Sequence, residues 1–175
     1  MKDLITKCIE GDRLAQKALY MDHCEDLMKL AWRYTKDIDH ARDIVQDTFV
    51  RIFHALEGFD ENKASLKTWM RKICIHEAIG FLRKYKKLDW SHEITDTILN
   101  TISLDDNHYP HEEAILQKIE SLPEEHKTIL MMYYFDDLSH KEIASMLNIK
   151  EASSRSRLSR AKDVLKIRWK AAFIF

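Results

Sequence analysis

The sequence predicts an all-α chain of two small helical domains joined by an acidic linker. Three observations carry that expectation. Only 3 Gly and 2 Pro occur in 175 residues, too few for the turns that hairpin-rich sheets need. Apolar residues recur at i, i+3, i+4 and i+7, the spacing of one helix face. The charges are sorted into blocks: residues 63–87 hold eight Lys/Arg against one acid, residues 91–126 nine acids against one base, and residues 140–170 nine bases against three acids. A formal net charge of -1 hides that order. With 45% hydrophobic residues, packed cores are expected and disorder throughout is excluded.

The first long helix is expected over 13–35, where Leu27, Leu30, Ala31 and Tyr34 form the apolar stripe. Lys36-Asp37-Ile38-Asp39 interrupts it. Val45, Phe49, Ile52, Phe53 and Leu56 then mark a second helix ending near Gly58, able to pack antiparallel on the first. After a polar loop from Gly58 to Ala64, a third helix opens with Leu66, Trp69, Met70, Ile73 and Ile79 and runs into Arg83-Lys84-Tyr85-Lys86-Lys87. The first domain is expected to span 1–90. Residues 91–110 read as an acidic, partly mobile linker, since their Ile and Leu show no sustained period.

The second domain, 111–175, resumes with Ala114, Ile115, Ile119 and Leu122. Pro123 suits the first turn of a helix, where a missing N–H costs nothing. Ile129, Leu130, Met132 and Tyr133 continue that helix to Asp136-Asp137. Ser139-His140-Lys141-Glu142 has the spacing of a capping box. It opens a short helix with Ile143, Ala144 and Leu147, closed by Asn148, which tolerates the left-handed conformation of a helix stop. The last helix runs from about Glu151 toward Trp169. Two short helices across a tight turn, the second rich in Arg, make a helix-turn-helix.

Several classes are disfavoured. No apolar run approaches the roughly 20 residues of a membrane span. The N-terminus Met1-Lys2-Asp3-Leu4 lacks a signal peptide's apolar stretch, so a cytoplasmic protein without membrane insertion is expected. Cys8, Cys24 and Cys74 are odd in number and have no C-x-x-C spacing, which fits reduced packing residues. His108, His111 and Glu112 lie close together, but no H-E-x-x-H spacing or phosphate loop is present. No metal, cofactor or catalytic activity is expected.

Two basic blocks inside helical patterns suggest a polyanion touched at two places. In the last helix Leu158, Ala161 and Leu165 share a face that should pack inward, leaving Ser154, Arg155, Arg157 and Ser159 outward. A recognition helix uses such N-terminal residues on base edges, Arg gripping guanine through two bonds. The bland alternative is a solvated, Ser/Arg-rich surface. In the earlier block, Trp69 stands beside Lys72, His76, Arg83 and Lys84, which could track a backbone while the ring stacks on a base. A lone Trp in an amphipathic helix is as often core.

These residues together resemble the ECF (extracytoplasmic function) sigma factors, the group 4 members of the sigma-70 superfamily, over nearly the whole chain and in the right order. Asp43-Ile44-Val45-Gln46-Asp47-Thr48-Phe49-Val50-Arg51 resembles the segment that grips the polymerase clamp. Phe59, Ser65-Leu66-Lys67-Thr68-Trp69-Met70 and Leu82-Arg83-Lys84 resemble the parts that open and read the minus-10 element. Leu122-Pro123-Glu124-Glu125, Leu138-Ser139, Glu142-Ile143-Ala144 and Ser156-Arg157-Leu158-Ser159-Arg160-Ala161 resemble the domain that binds minus-35 duplex.

The resemblance implies a region 2-like bundle, a region 4-like helix-turn-helix and a division of labour. Asp43, Gln46, Asp47 and Arg51 would bind core RNA polymerase. Asn62, Lys63, Ser65, Trp69, Lys72, His76, Arg83 and Lys84 would meet melted minus-10 DNA, with a flipped base held in the loop Asp60 to Ala64. Lys150, Ser154, Arg155, Ser156, Arg157 and Arg160 would meet minus-35 duplex. An anti-sigma factor, often membrane-anchored, would be a further partner. The chain departs from the family pattern at His76, where Asn is usual, at Gly80, where an acid is common, and at Ala152-Ser153-Ser154, where Gly-Thr-Val is usual; promoter preference follows such positions. A free-standing helix-turn-helix regulator or a helical protein-interaction module are the rival readings. The first has no use for the Asp43 to Arg51 face, and the second predicts no salt-dependent promoter affinity.

Overall fold

The computed structural model describes residues 2–88, 90, 119, 120 and 122–165. Contacts divide the chain into two bodies, Met1–Lys87 and Leu88–Phe175. The described secondary structure is entirely helical. No helix among the described residues is long and apolar enough to cross a membrane.

The first body is built on three long helices: α2 (Arg13–Thr35), α3 (Ile38–Ala55) and α4 (Leu66–Tyr85). Asp12 caps α2, its carboxylate accepting from the N–H groups of Leu14 at 2.8 Å and Ala15 at 3.1 Å. The helix stops at Lys36, left-handed at φ 55°. Asp37 immediately caps α3, accepting from Asp39 and His40 at 2.9 Å each. Backbone hydrogen bonding to Asp37 holds its carboxyl below the usual range. Two stop and start signals in consecutive residues reverse the chain, so α2 and α3 pack together and α4 lies against both. Leu27, Leu30, Tyr34, Ile52, Met70, Ile75, Ile79 and Leu82 are all at most 2% exposed and make the centre of the core. Cys8 and Cys74 are buried and Cys24 is half-buried, all as free thiols.

The structure adds α1 (Lys2–Ile9), joined to α2 through Gly11, whose φ of 83° suits a residue without a side chain. Two turns with one buried side chain, Cys8, carry too little periodicity to stand out in sequence. Between α3 and α4 a 3-10 turn, Leu56–Gly58, buries Leu56.

The described helices of the second body are α5 (Glu124–Tyr134), α6 (His140–Leu147) and α7 (Glu151–Val164). Pro123 lies one residue outside the helix, as N-cap, its carbonyl accepting from His126 at 2.9 Å and Lys127 at 3.0 Å. The helix ends at Tyr134, short of the expected Asp136-Asp137, and Asp137 turns left-handed at φ 54°. The capping box forms as expected: Ser139 Oγ accepts from the Glu142 N–H, and the Glu142 carboxylate accepts from the Ser139 N–H at 2.9 Å. Asn148 closes α6 at φ 54°. Leu158, Ala161 and Leu165 pack inward. The linker expected at 91–110, the apolar residues Ala114 and Ile115, the His108/His111/Glu112 group and the stretch from Lys166 to Trp169 lie outside the described residues.

Candidate polymerase and nucleic-acid interfaces

Helix α3 has two chemically opposite faces. Ala41, Ile44, Val45, Thr48, Phe49 and Ile52 are buried. Thr48 keeps its hydroxyl satisfied by donating to the Ile44 carbonyl at 2.6 Å. Asp43, Gln46, Asp47 and Arg51 are exposed. Arg51 Nε reaches across to Glu77 of α4 at 2.5 Å. Glu77 is the lone acid of the basic block 63–87; that isolation was the sequence signal for a structural partner.

The loop before α4 is shaped by Asp60, whose Oδ1 accepts from both the backbone and side-chain N–H of Asn62 at 3.0 Å. The Asn62 backbone bond, then its side chain, hold the Asp60 carboxyl below the usual range. Lys63 Nζ stands 3.5 Å from the same carboxylate. Ser65 caps α4, accepting from the Thr68 N–H at 3.1 Å. Trp69 is half-exposed, its ring 5.3 Å from that of Phe59, so it is neither pure core nor free. His76, Arg83 and Lys84 are exposed and Lys72 half-exposed. These groups share one helix and its leading loop.

In the second body the expectation for α7 needs correction. Arg155, Ser156 and Ser159 are exposed, Lys150 is exposed and Arg160 half-exposed, but Ser154 is 0% and Arg157 4% exposed. The Ser154 hydroxyl is within 2.9 Å of His140 Nδ1 on α6. Arg157 Nη2 donates to the Trp90 carbonyl at 2.7 Å, and Trp90 is itself buried. Helical spacing puts Arg157 beside Leu158, Ala161 and Leu165, and the Trp90 carbonyl takes one of its guanidinium N–H groups there. Both side chains therefore serve packing in this body.

Three buried polar residues of α5 escaped sequence reading. His126 is 0% exposed with neither ring nitrogen hydrogen-bonded. Burial first, then the charges of Arg157 and Arg160, lower its pKa to about 4. Thr128 is also fully buried. Burial alone would lower the Lys127 pKa, yet bonds to Glu124 at 2.8 Å and Glu120 at 3.1 Å outweigh it and hold the pKa raised. His140 stacks on Tyr133 at 4.8 Å, and burial first, then the nearby Arg155 charge, lowers its pKa.

A helical bundle with a polar, partly acidic docking face, together with a helix-turn-helix bearing a basic helix, defines a DNA-directed transcription protein. The Sigma-70 region 2 family matches residues 19–88, and Sigma-70, region 4 matches residues 112–165. RNA polymerase sigma factor SigV of Bacillus subtilis (strain 168) is 33% identical over 146 residues, covering 83% of this chain and 86% of that protein. ECF RNA polymerase sigma factor SigM of the same organism is 27% identical over 150 residues, covering 85% and 91%. The fold resembles the sigma factor RpoE of Bartonella quintana, solved in complex with the anti-sigma factor NepR, at a TM-score of 0.53 and 18% identity, covering 85% of this chain and 92% of that one. CnrH, solved with the cytosolic domain of CnrY, aligns at a TM-score of 0.52 and 20% identity, covering 93% and 92%. The chain belongs to the ECF group of the sigma-70 family of RNA polymerase sigma factors. It acts with core RNA polymerase on promoter DNA to start transcription, and the free-standing regulator reading is set aside.

Proposed function

We propose that the two bodies divide one promoter between them while docked on core polymerase. The observation that carries this reading is the α3 face, where Asp43, Gln46, Asp47 and Arg51 are exposed opposite a buried apolar stripe. A free DNA-binding regulator gains nothing from that arrangement. Asn62, Lys63, Trp69, Lys72, His76, Arg83 and Lys84 would hold the melted minus-10 strand, with Ser65 acting by capping α4. Cationic side chains follow the phosphates, and the half-exposed Trp69 offers a stacking surface. Lys150, Arg155, Ser156 and Arg160 would meet the minus-35 duplex; the burial of Ser154 and Arg157 removes them from that set.

The protein would work in the cytoplasm, with no catalytic activity of its own. The nine acids of 91–126 would offset the charge of the basic blocks, making the free chain a poor DNA binder before docking. An anti-sigma factor would restrain it, as the anti-sigma factor NepR is bound to the sigma factor RpoE in the structurally similar complex. The decisive experiment mixes the purified chain with cognate core enzyme. Co-elution and new, promoter-specific run-off transcripts are expected; identical start sites with and without the chain would refute the reading.

A further inference from the structure

Between α3 and α4 lies a cleft of about 220 Å³, lined by His40, Asp43, Asp47, Glu77, Phe81 and Tyr85, with Gly80 and Lys84 on its wall. Its chemistry has two parts. Three carboxylates stand against the cations of Arg51 and Lys84, leaving the surroundings net acidic. Arg51 is engaged by Glu77, and Lys84 Nζ sits 5.0 Å over the Tyr85 ring. Asp43 and Asp47, both exposed, have no ion-pair partner among the described residues. The second part is aromatic: Phe81 and Tyr85 stack at 4.6 Å, and His40 lies 4.7 Å from Phe81. Carboxylates beside ring faces suit a guanidinium, which takes charge-assisted bonds in its plane and a ring against its face.

Gly80 lines this space without a side chain of its own. Glycine within a helix lowers helix stability, so its presence mid-α4 needs a reason. A Cβ built at Gly80 meets nothing within 4 Å. A longer side chain there would enter the cleft without pushing on the backbone.

We propose that this cleft receives one arginine side chain from core polymerase, extending the docking face from α3 onto α4. The proposal rests on reading Asp43, Gln46 and Asp47 as polymerase-facing. Free carboxylates of the chain and a cationic partner group are the complementary pair that fixes register in a protein interface. Because Glu77 and Phe81 share α4 with His76 and Arg83, the docked arginine would also steady the helix assigned to the minus-10 strand.

The test is titration of the fluorescently labelled full chain with DNA-free core polymerase, with thermal melts of each variant. Gly80→Met, which fills the cleft, should weaken core binding about tenfold. Tyr85→Leu, at a largely exposed position, should weaken it several-fold, and both losses should shrink at high salt as the charge pairing is screened. Parent-like affinity for Gly80→Met and Tyr85→Leu, with Gln46→Ala weakened, overturns the cleft and leaves the α3 face standing. Parent-like affinity for Gln46→Ala and Asp47→Ala as well overturns the α3 reading and the cleft with it. Should Gly80→Met melt early, Tyr85→Leu decides, and unchanged affinity there overturns the proposal.

Discussion

Among the described residues, the first body buries two polar side chains, Thr35 and Thr48, while the second buries five: His126, Lys127, Thr128, Ser154 and Arg157. Helix length explains the contrast. Helices of 23, 18 and 20 residues give the first body room for a continuous apolar core, and its two threonines satisfy themselves on carbonyls of their own helices. The described helices of the second body have 11, 8 and 14 residues. Among the described residues, these shorter helices offer shorter apolar stripes, and polar side chains share the interior with them. The exposed polar face and the core are therefore separate on α3 of the first body, whereas α7 of the second carries buried and exposed polar side chains along one helix.

The contrast predicts where substitutions register. Ile79→Ala, which empties a fully packed site of the first body, should cost about 4 kcal/mol in urea denaturation; a loss under about 1 kcal/mol would mean that core is loose. The second body should be the acid-sensitive one. His126 titrates near 4 when folded and near 6.5 when unfolded, so the fold favours its neutral form. Stability is then complete above pH 6.5 and falls by about 3 kcal/mol as pH drops to 4. His126→Leu should flatten that fall, and an equal acid loss in the variant would place its origin elsewhere.

Two arginines on α7 separate the roles most directly. Arg157→Ala should destabilise the second body by about 2 kcal/mol, since it strips a buried carbonyl of its charged donor. Arg155→Ala should leave stability within about 0.5 kcal/mol yet weaken minus-35 binding in the holoenzyme by about 1–3 kcal/mol. The reverse pattern would break the comparison. Smallest, Ser139→Ala should lose about 1 kcal/mol through the missing cap, read as a lower melting temperature of the second body.

Much of the architecture was legible in advance. The bounds of α2, the exposed face of α3, the basic length of α4, the capping box at Ser139 and the stop at Asn148 all follow from local rules of spacing and capping. What sequence misread has a common cause. Ser154 and Arg157 were assigned outward as what remained once Leu158, Ala161 and Leu165 took the inward face, and His126, Lys127 and Thr128 drew no notice because such side chains are usually solvated. Residue type is a weak guide to burial where partners come from distant positions: Arg157 meets Trp90 and Ser154 meets His140.

The sequence by itself determined the helices, their caps, the two basic blocks and the polar face on α3, because each depends on neighbours within a turn or two. Tertiary structure alone decided which polar side chains face solvent, which arginine of α7 is buried, and that Gly80 lines a cleft between α3 and α4. Those outcomes depend on contacts between helices, and helical periodicity says which face a residue takes without saying what will cover it.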